Sequence, residues 1–228
     1  MKLAFATGRH FASVQQAIAE HALPLPEWII CDVGTSIYKR STAGTYLLSE
    51  HFADHLANIM GGWSIEQLRE HLLPVARLRL QEGEKQTPFK LSYYTEAQSM
   101  AEIVSHIQQL LATHALPFSV IASVDPFTNE GLIDLLPRDS SKAYALNWWS
   151  LDEGLEHHEI VYAGDSGNDS AAFAAGYRSI IVGNAASHVL REAERAHAAA
   201  GWSDRIFAAS KPATSGVLEG LLHFASGG

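Results

Sequence analysis

The chain has 228 residues, 47% of them hydrophobic and 18% charged, which is enough apolar material for a sizeable core in one or two domains and too much for a disordered chain. Asp and Glu outnumber Lys and Arg 25 to 16, for a formal charge of -9, so no basic field invites a nucleic-acid backbone and a small molecule is the expected partner. Cys31 is the one cysteine, which excludes an internal disulfide. The apolar run at residues 3–6 is too short for a secretion signal, and no apolar stretch reaches the roughly 18 residues of a membrane span. The reading is a soluble cytoplasmic protein with neither nucleic acid nor membrane among its partners.

In chain order, residues 2–6 read as a short buried strand, and Phe11, Val14, Ala17 and Ile18 share one face of a helix closed by Pro24 and Pro26. Residues 28–31 form a second apolar strand that runs into turn-prone Asp32-Val33-Gly34-Thr35, with 36–38 extending or returning as strand. Strand, helix, strand is the rhythm of a parallel sheet. Residues 46–60 and 64–73 then read as helices, the second opened by Ser64 and Gln67 at capping-box spacing. Residues 89–94 alternate like a half-buried strand, 100–114 form an amphipathic helix, and 118–124 and 131–136 are strands, the last ended by Pro137. This mixture points to a small α+β unit inserted into a larger fold.

From Ser140 the parallel rhythm returns, with a helix at 141–149, a strand at 160–163, a loop at 164–168, a helix at 169–175 and a strand at 179–182. The Ala-rich stretch 192–200 reads as an exposed helix. The expected fold class is α/β: a doubly wound parallel-sheet core at 1–52 and 138–228, split by an α+β insertion at 53–137.

The stretch most informative about chemistry is VYAGDSGND at 161–169, a strand that delivers Asp165 and Asp169 into a tight glycine-bearing loop ahead of a helix. Two carboxylates four apart at a strand's carboxyl end suit a hard cation such as Mg2+, and open parallel sheets place ligands at that end. The same residue types also build ordinary Asx turns and helix N-caps. His51 and His55 lie one helical turn apart, a zinc-compatible spacing, but no third ligand accompanies them and an exposed helix face is the better reading. His157-His158 reads as a solvated loop, and Trp148-Trp149 as the packing face of the helix after Lys142.

GDSGND on such a strand resembles the fourth motif of the haloacid dehalogenase-like phosphohydrolases. Ala6-Thr7-Gly8-Arg9 resembles the second motif, and Lys142 at a helix start resembles the third-motif lysine, although Ser141 and Ala143 flank it where the family usually has glycine. The chain is most similar to the sucrose-phosphate phosphatase branch. Val33-Gly34-Thr35-Ser36-Ile37-Tyr38, residues 86–94, Val182-Gly183-Asn184-Ala185 and residues 216–224 carry that likeness.

The resemblance implies Mg2+-dependent hydrolysis of a sugar phosphate, sucrose 6-phosphate first, through an aspartyl-phosphate. Lys142, Asp165 and Asp169 would be catalytic. Thr7, Gly8, Lys142 and Asn168 would hold the phosphate, and Asp165 and Asp169 the metal. The insertion would act as a cap over the site, with Arg9, Glu84, Gln86 and Lys90 meeting the sugar. The family also places a strand ending in Asp-x-Asp, the nucleophile and its acid-base partner, ahead of the second motif. This sequence begins on the second motif's strand, so the resemblance implies a core whose first central strand lies outside it. The segment ending in Asp32-Val33-Gly34-Thr35 imitates the lost motif but carries one carboxylate and fits the family's third strand better. The competing expectation is a non-catalytic module that binds a phosphosugar or associates with a sugar-phosphate synthase.

Overall fold

A computed structural model describes residues 2–125 and 128–227, the side chain of Asn168 excepted. It divides into two units, residues 1–145 and 146–228.

The first unit opens with β1 (Ala4–Ala6), α1 (Phe11–Glu20) and β2 (Trp28–Cys31). β1 and β2 pair in parallel, with Phe5 opposite Ile29. Val14 and Ile18 of α1 pack on Ile29 and Cys31, the apolar face that the spacing predicts. All four residues of β2 are buried, as expected of a parallel strand covered on both faces. β3 (Ser36–Arg40) and β4 (Tyr46–Leu48) return antiparallel, giving the order β1-β2-β3-β4.

β4 corrects the expected helix at 46–60, whose first residues are strand. Tyr38 pairs with Leu48, and the Tyr46 hydroxyl donates to the Pro26 carbonyl at 2.8 Å, tertiary bonds that outweigh local helical spacing. The helix α2 (Glu50–Met60) begins only after Ser49, whose hydroxyl accepts the Phe52 N–H.

Further along the first unit come α3 (Ile65–Leu72), β5 (Arg79–Leu80), β6 (Leu91–Glu96), α4 (Met100–Thr113), β7 (Phe118–Val124) and β8 (Glu130–Pro137). The four strands form an antiparallel sheet of order β5-β6-β8-β7. The capping box that opens α3 forms reciprocally between Ser64 and Gln67. Strand side chains alternate between faces. Leu91, Tyr93, Ile133 and Leu135 accordingly pack with Leu68, Leu72, Ile103, Ile107 and Leu111 of the helices, while Ser92, Tyr94 and Asp134 take the opposite face.

Helix α5 (Lys142–Asp152) carries the chain into the second unit. There β9 (Val161–Gly164), α6 (Ser170–Phe173), β10 (Arg178–Ile181), α7 (Ser187–Ala200), β11 (Ile206–Ala208) and α8 (Ala213–Ala225) follow. The strands are parallel, in the order β11-β10-β9, and Phe224 of α8 packs with Ile180 and Val182. The expected helix at 169–175 is shorter, a 3-10 turn at Gly167–Asp169 leading into α6. Helix α7 is also not the exposed helix that its alanines suggest. Val189, Ala193 and His197 form a buried stripe at four-residue spacing, and both His197 ring nitrogens meet backbone carbonyls, of Trp202 at 3.1 Å and Phe173 at 2.8 Å.

Between β2 and β3 the backbone does something costly. Asp32, Val33 and Gly34 take φ of 54°, 60° and 91° in succession, the left-handed region that a β-branched residue rarely enters. The Asp32 N–H donates to the Arg9 carbonyl at 2.9 Å, and the Asp32 carbonyl accepts from the N–H and hydroxyl of Thr35. Gly34 lies against the chain at Ser141 and Lys142. A Cβ there would sit 2.7 Å from the Lys142 nitrogen, and nearer still to the Ser141 carbonyl oxygen. Gly34→Ala is therefore expected to cost at least about 3 kcal/mol in urea unfolding, since positive φ and a backbone collision act together; a loss under about 1 kcal/mol would contradict this account.

Candidate active site

Thr7 leaves β1 with its N–H donating to the Ile30 carbonyl at 2.9 Å, so the ladder holds the chain up to the loop. The Thr7 hydroxyl oxygen accepts the Arg9 N–H at 3.2 Å, which leaves its proton to donate outward. Gly8 and Arg9 are exposed. The left-handed turn binds this loop through the Asp32 N–H to Arg9 bond, and its Gly34 meets the backbone at Ser141 and Lys142. The Thr7–Gly8–Arg9 loop and the start of α5, where Lys142 stands, are thus seated on one turn.

Asp165 and Asp169 belong to the second unit, at the carboxyl end of β9, and they differ sharply. Asp165 is exposed, and its Oδ2 accepts from Asn184 Nδ2 at 3.2 Å. Asp169 is 5% exposed. Its Oδ1 accepts the Tyr162 hydroxyl at 2.6 Å, and its Oδ2 accepts the N–H groups of Asp165 and Ser166 and the Ser166 hydroxyl. Burial first, then the neighbouring Asp169 carboxylate, push the Tyr162 phenol well above its ordinary range and keep it a donor. Gly164 makes room for this carboxylate, because a Cβ there would lie 2.6 Å from Asp169 Oδ2.

Asp169 therefore shapes the loop, and Asp165 presents the accessible carboxylate. Among the described residues no three His, Cys, Asp or Glu side chains gather into a metal cage. One exposed carboxylate at a strand end nonetheless fits Mg2+, which commonly takes one or two protein carboxylates and completes its octahedron with water and phosphate oxygens. The side chain of Asn168 lies outside the described residues.

The residues assigned to the sugar are arranged differently from a row of free polar groups. Gln86 donates from Nε2 to the carbonyls of Gln81 and Ser92 and accepts the Ser92 N–H at 2.8 Å, so its amide staples the loop to β6. Lys90 Nζ lies 3.0 Å from Asp32 Oδ1, both side chains 4% exposed. Glu84 is exposed and faces His10 Nε2 at 3.9 Å. The N-cap bond that His10 Nδ1 accepts from Ser13 N–H assigns the ring proton of the neutral imidazole to Nε2.

Sequence reasoning missed Asp134. It sits opposite Ser92 in the sheet, and its Oδ1 accepts the Ser92 hydroxyl at 2.5 Å. Burial pushes the Asp134 carboxyl up from its ordinary 3.8, against the lowering pull of Ser92 and Lys90. The alternation of 130–137 could have flagged it, as a carboxylate inside an otherwise apolar strand.

The remaining candidates are structural. His55 Nε2 meets the Tyr144 hydroxyl at 2.6 Å, tying α2 to α5. His157 is not simply solvated, since its ring packs on Tyr177 and Nε2 lies 3.2 Å from Asn147 Oδ1. Trp149 is buried and Trp148 half-buried. Burial raises the Cys31 thiol far above its usual range, which marks it as inert.

Residues 1–225 match the family model for sucrose-6F-phosphate phosphohydrolase. The chain belongs to that family. A protein of Nitrosococcus oceani described as a HAD-like hydrolase is 35% identical over 97% of this chain, which spans 62% of that relative's length. The mannosylfructose-phosphate phosphatase of Agrobacterium fabrum is 26% identical over 97% of this chain and 82% of its own. Among solved structures, the sucrose-phosphatase of Synechocystis in complex with sucrose and phosphate superposes with a TM-score of 0.76 at 27% identity, over 98% of this chain and 84% of that one. The fold is thus the α/β fold of the HAD-like hydrolases with a cap, as the motifs implied.

Two measurements test the buried charges. Lys90→Met leaves Asp32 buried and unpaired and is expected to lower unfolding free energy by about 3–5 kcal/mol, most of it recovered in the double variant with Asp32→Asn. A carboxyl whose folded pKa is raised contributes fully below its unfolded value of 3.8 and loses that contribution as pH rises through the folded value. Asp134→Asn is therefore expected to raise Tm near neutral pH, by about 2–4 °C for each kcal/mol recovered, and to leave it unchanged at acid pH.

Proposed function

We propose that this chain forms part of a Mg2+-dependent sugar-phosphate phosphatase, with sucrose 6-phosphate the leading substrate and an aspartyl-phosphate as intermediate. The observation that carries the reading is the left-handed turn seating both the Thr7–Gly8–Arg9 loop and the Lys142 end of α5, in a chain of a phosphohydrolase family. In this reading the Thr7 hydroxyl and Gly8 N–H donate to phosphoryl oxygens, and the Lys142 ammonium offsets the charge that shifts during transfer. Asn168 steadies the phosphate or Lys142. Asp165 holds Mg2+, whose part is to neutralise phosphate charge, and Asp169 fixes the loop that presents Asp165.

Residues 53–137 form the specificity cap in this proposal, over a core of 1–52 and 138–228. Arg9 and the exposed Glu84 reach the sugar hydroxyls. Gln86 and Lys90, bonded as they are, hold the loop that carries Glu84. A site that hydrogen-bonds hydroxyls strongly rejects sugars lacking them.

A second reading rests on Asp32. The carboxylate that best imitates an attacking group is buried against Lys90, which suits a module that binds a phosphosugar, or associates with a sugar-phosphate synthase, without turnover. Phosphate release from sucrose 6-phosphate separates the two, assayed with residues 1–228 and with the product of the whole reading frame that encodes them. Release by either form, abolished by a chelator and restored by Mg2+, is the expected result. Binding of the sugar phosphate without release by either form supports the non-catalytic reading, and release that survives chelation overturns the role of the metal.

A further inference from the structure

We infer that Asn184 is a positioning residue for Asp165, and that the turn between β11 and α8 exists to aim its amide. The inference rests on the reading of Asp165 as the metal-holding carboxylate. Asn184 follows β10, beside the strand that delivers Asp165. Its Nδ2 donates to Asp165 Oδ2 at 3.2 Å, and its Oδ1 accepts the Ala213 N–H at 2.8 Å. The second bond decides the orientation of the amide. A backbone N–H can only donate, so the oxygen must face Ala213 and the NH2 group must face the carboxylate.

The supporting turn is built more firmly than a surface loop requires. Ala213 holds φ of 47°, a left-handed conformation that a non-glycine residue keeps only where its surroundings fix it. Those surroundings are on hand. Gly183 N–H donates to the Lys211 carbonyl at 2.8 Å, and Ala209 N–H to the Ile181 carbonyl at 2.9 Å. Glu219 of α8 reaches back with one carboxylate to accept the N–H groups of Ser210 and Lys211 and the Ser210 hydroxyl.

The strand ends of β10 and β11 and the start of α8 are thereby tied around one exposed asparagine. The part of that asparagine left over points at Asp165. A donor on Oδ2 limits carboxylate rotation and leaves Oδ1 as the oxygen to present to a cation. Outer-sphere hydrogen bonds of this kind orient metal-ligating carboxylates.

The test reads metal affinity and does not depend on turnover. Mn2+ binding to the full chain is followed by electron paramagnetic resonance, with Mg2+ as competitor and Asp165→Asn as the control that identifies the site. Asn184→Ala is expected to weaken Mn2+ by about 10-fold while the metal-free Tm stays unchanged. Asn184→Gln keeps both ends of the amide one methylene further out and is expected to fall between. Equal affinity in the wild type and Asn184→Ala overturns the positioning role. So does a loss of affinity that tracks a matching fall in metal-free Tm, which marks a structural residue. A wild-type chain whose Mn2+ binding is absent or insensitive to Asp165→Asn overturns the assignment of Asp165 itself, and the inference with it.

Discussion

The first unit depends on a single constraint, the left-handed run of Asp32, Val33 and Gly34. No isolated peptide would favour it, because three successive residues, one of them β-branched, must take the positive φ that L-residues rarely adopt. It persists because the surrounding structure holds it at several points. The Asp32 backbone holds Arg9 and Thr35, its carboxylate meets Lys90, and Gly34 admits the Ser141–Lys142 backbone. The strain is concentrated where the Thr7–Gly8–Arg9 loop and the start of α5 are fixed, and such strain persists only where the surroundings over-determine it.

The Lys90–Asp32 pair extends that constraint to the inserted sheet. Two charges removed from water are a poor way to gain stability, since desolvation offsets most of the attraction. What such a pair gives is geometry. An ammonium just before β6 can meet a carboxylate in the turn after β2 only when the inserted sheet sits over that turn. Asp134 and Ser92 lie together on the face of that sheet opposite its apolar core.

The second unit applies the same economy to a pair of aspartates. Four residues apart in sequence, they look interchangeable, yet Asp169 is buried and accepts hydrogen bonds from Tyr162, Asp165 and Ser166, while Asp165 is exposed and accepts from Asn184. Electrostatics alone would not separate them. The separation comes from the strand–turn geometry, which folds Asp169 back over Gly164 and the N–H groups of its own loop.

Much of this was legible in the letters. Period and composition are local quantities, and they placed α1 and its buried face, the Ser64–Gln67 capping box, the parallel strands and the motifs that mark the family. They did not show that Tyr46–Leu48 would pair as strand, nor that α7 hides a stripe at Val189, Ala193 and His197, because each depends on a partner distant in sequence. The same holds for the roles of the polar residues. Sequence determined the family and which side chains are candidates for phosphate and metal chemistry, since residue type and spacing set what a group can bind. Tertiary structure alone decided that Gln86 and Lys90 are bonded inward, that Asp169 braces while Asp165 presents, and that Asn184 faces a carboxylate. A hydrogen bond has two ends, and only the folded chain brings the second one within reach.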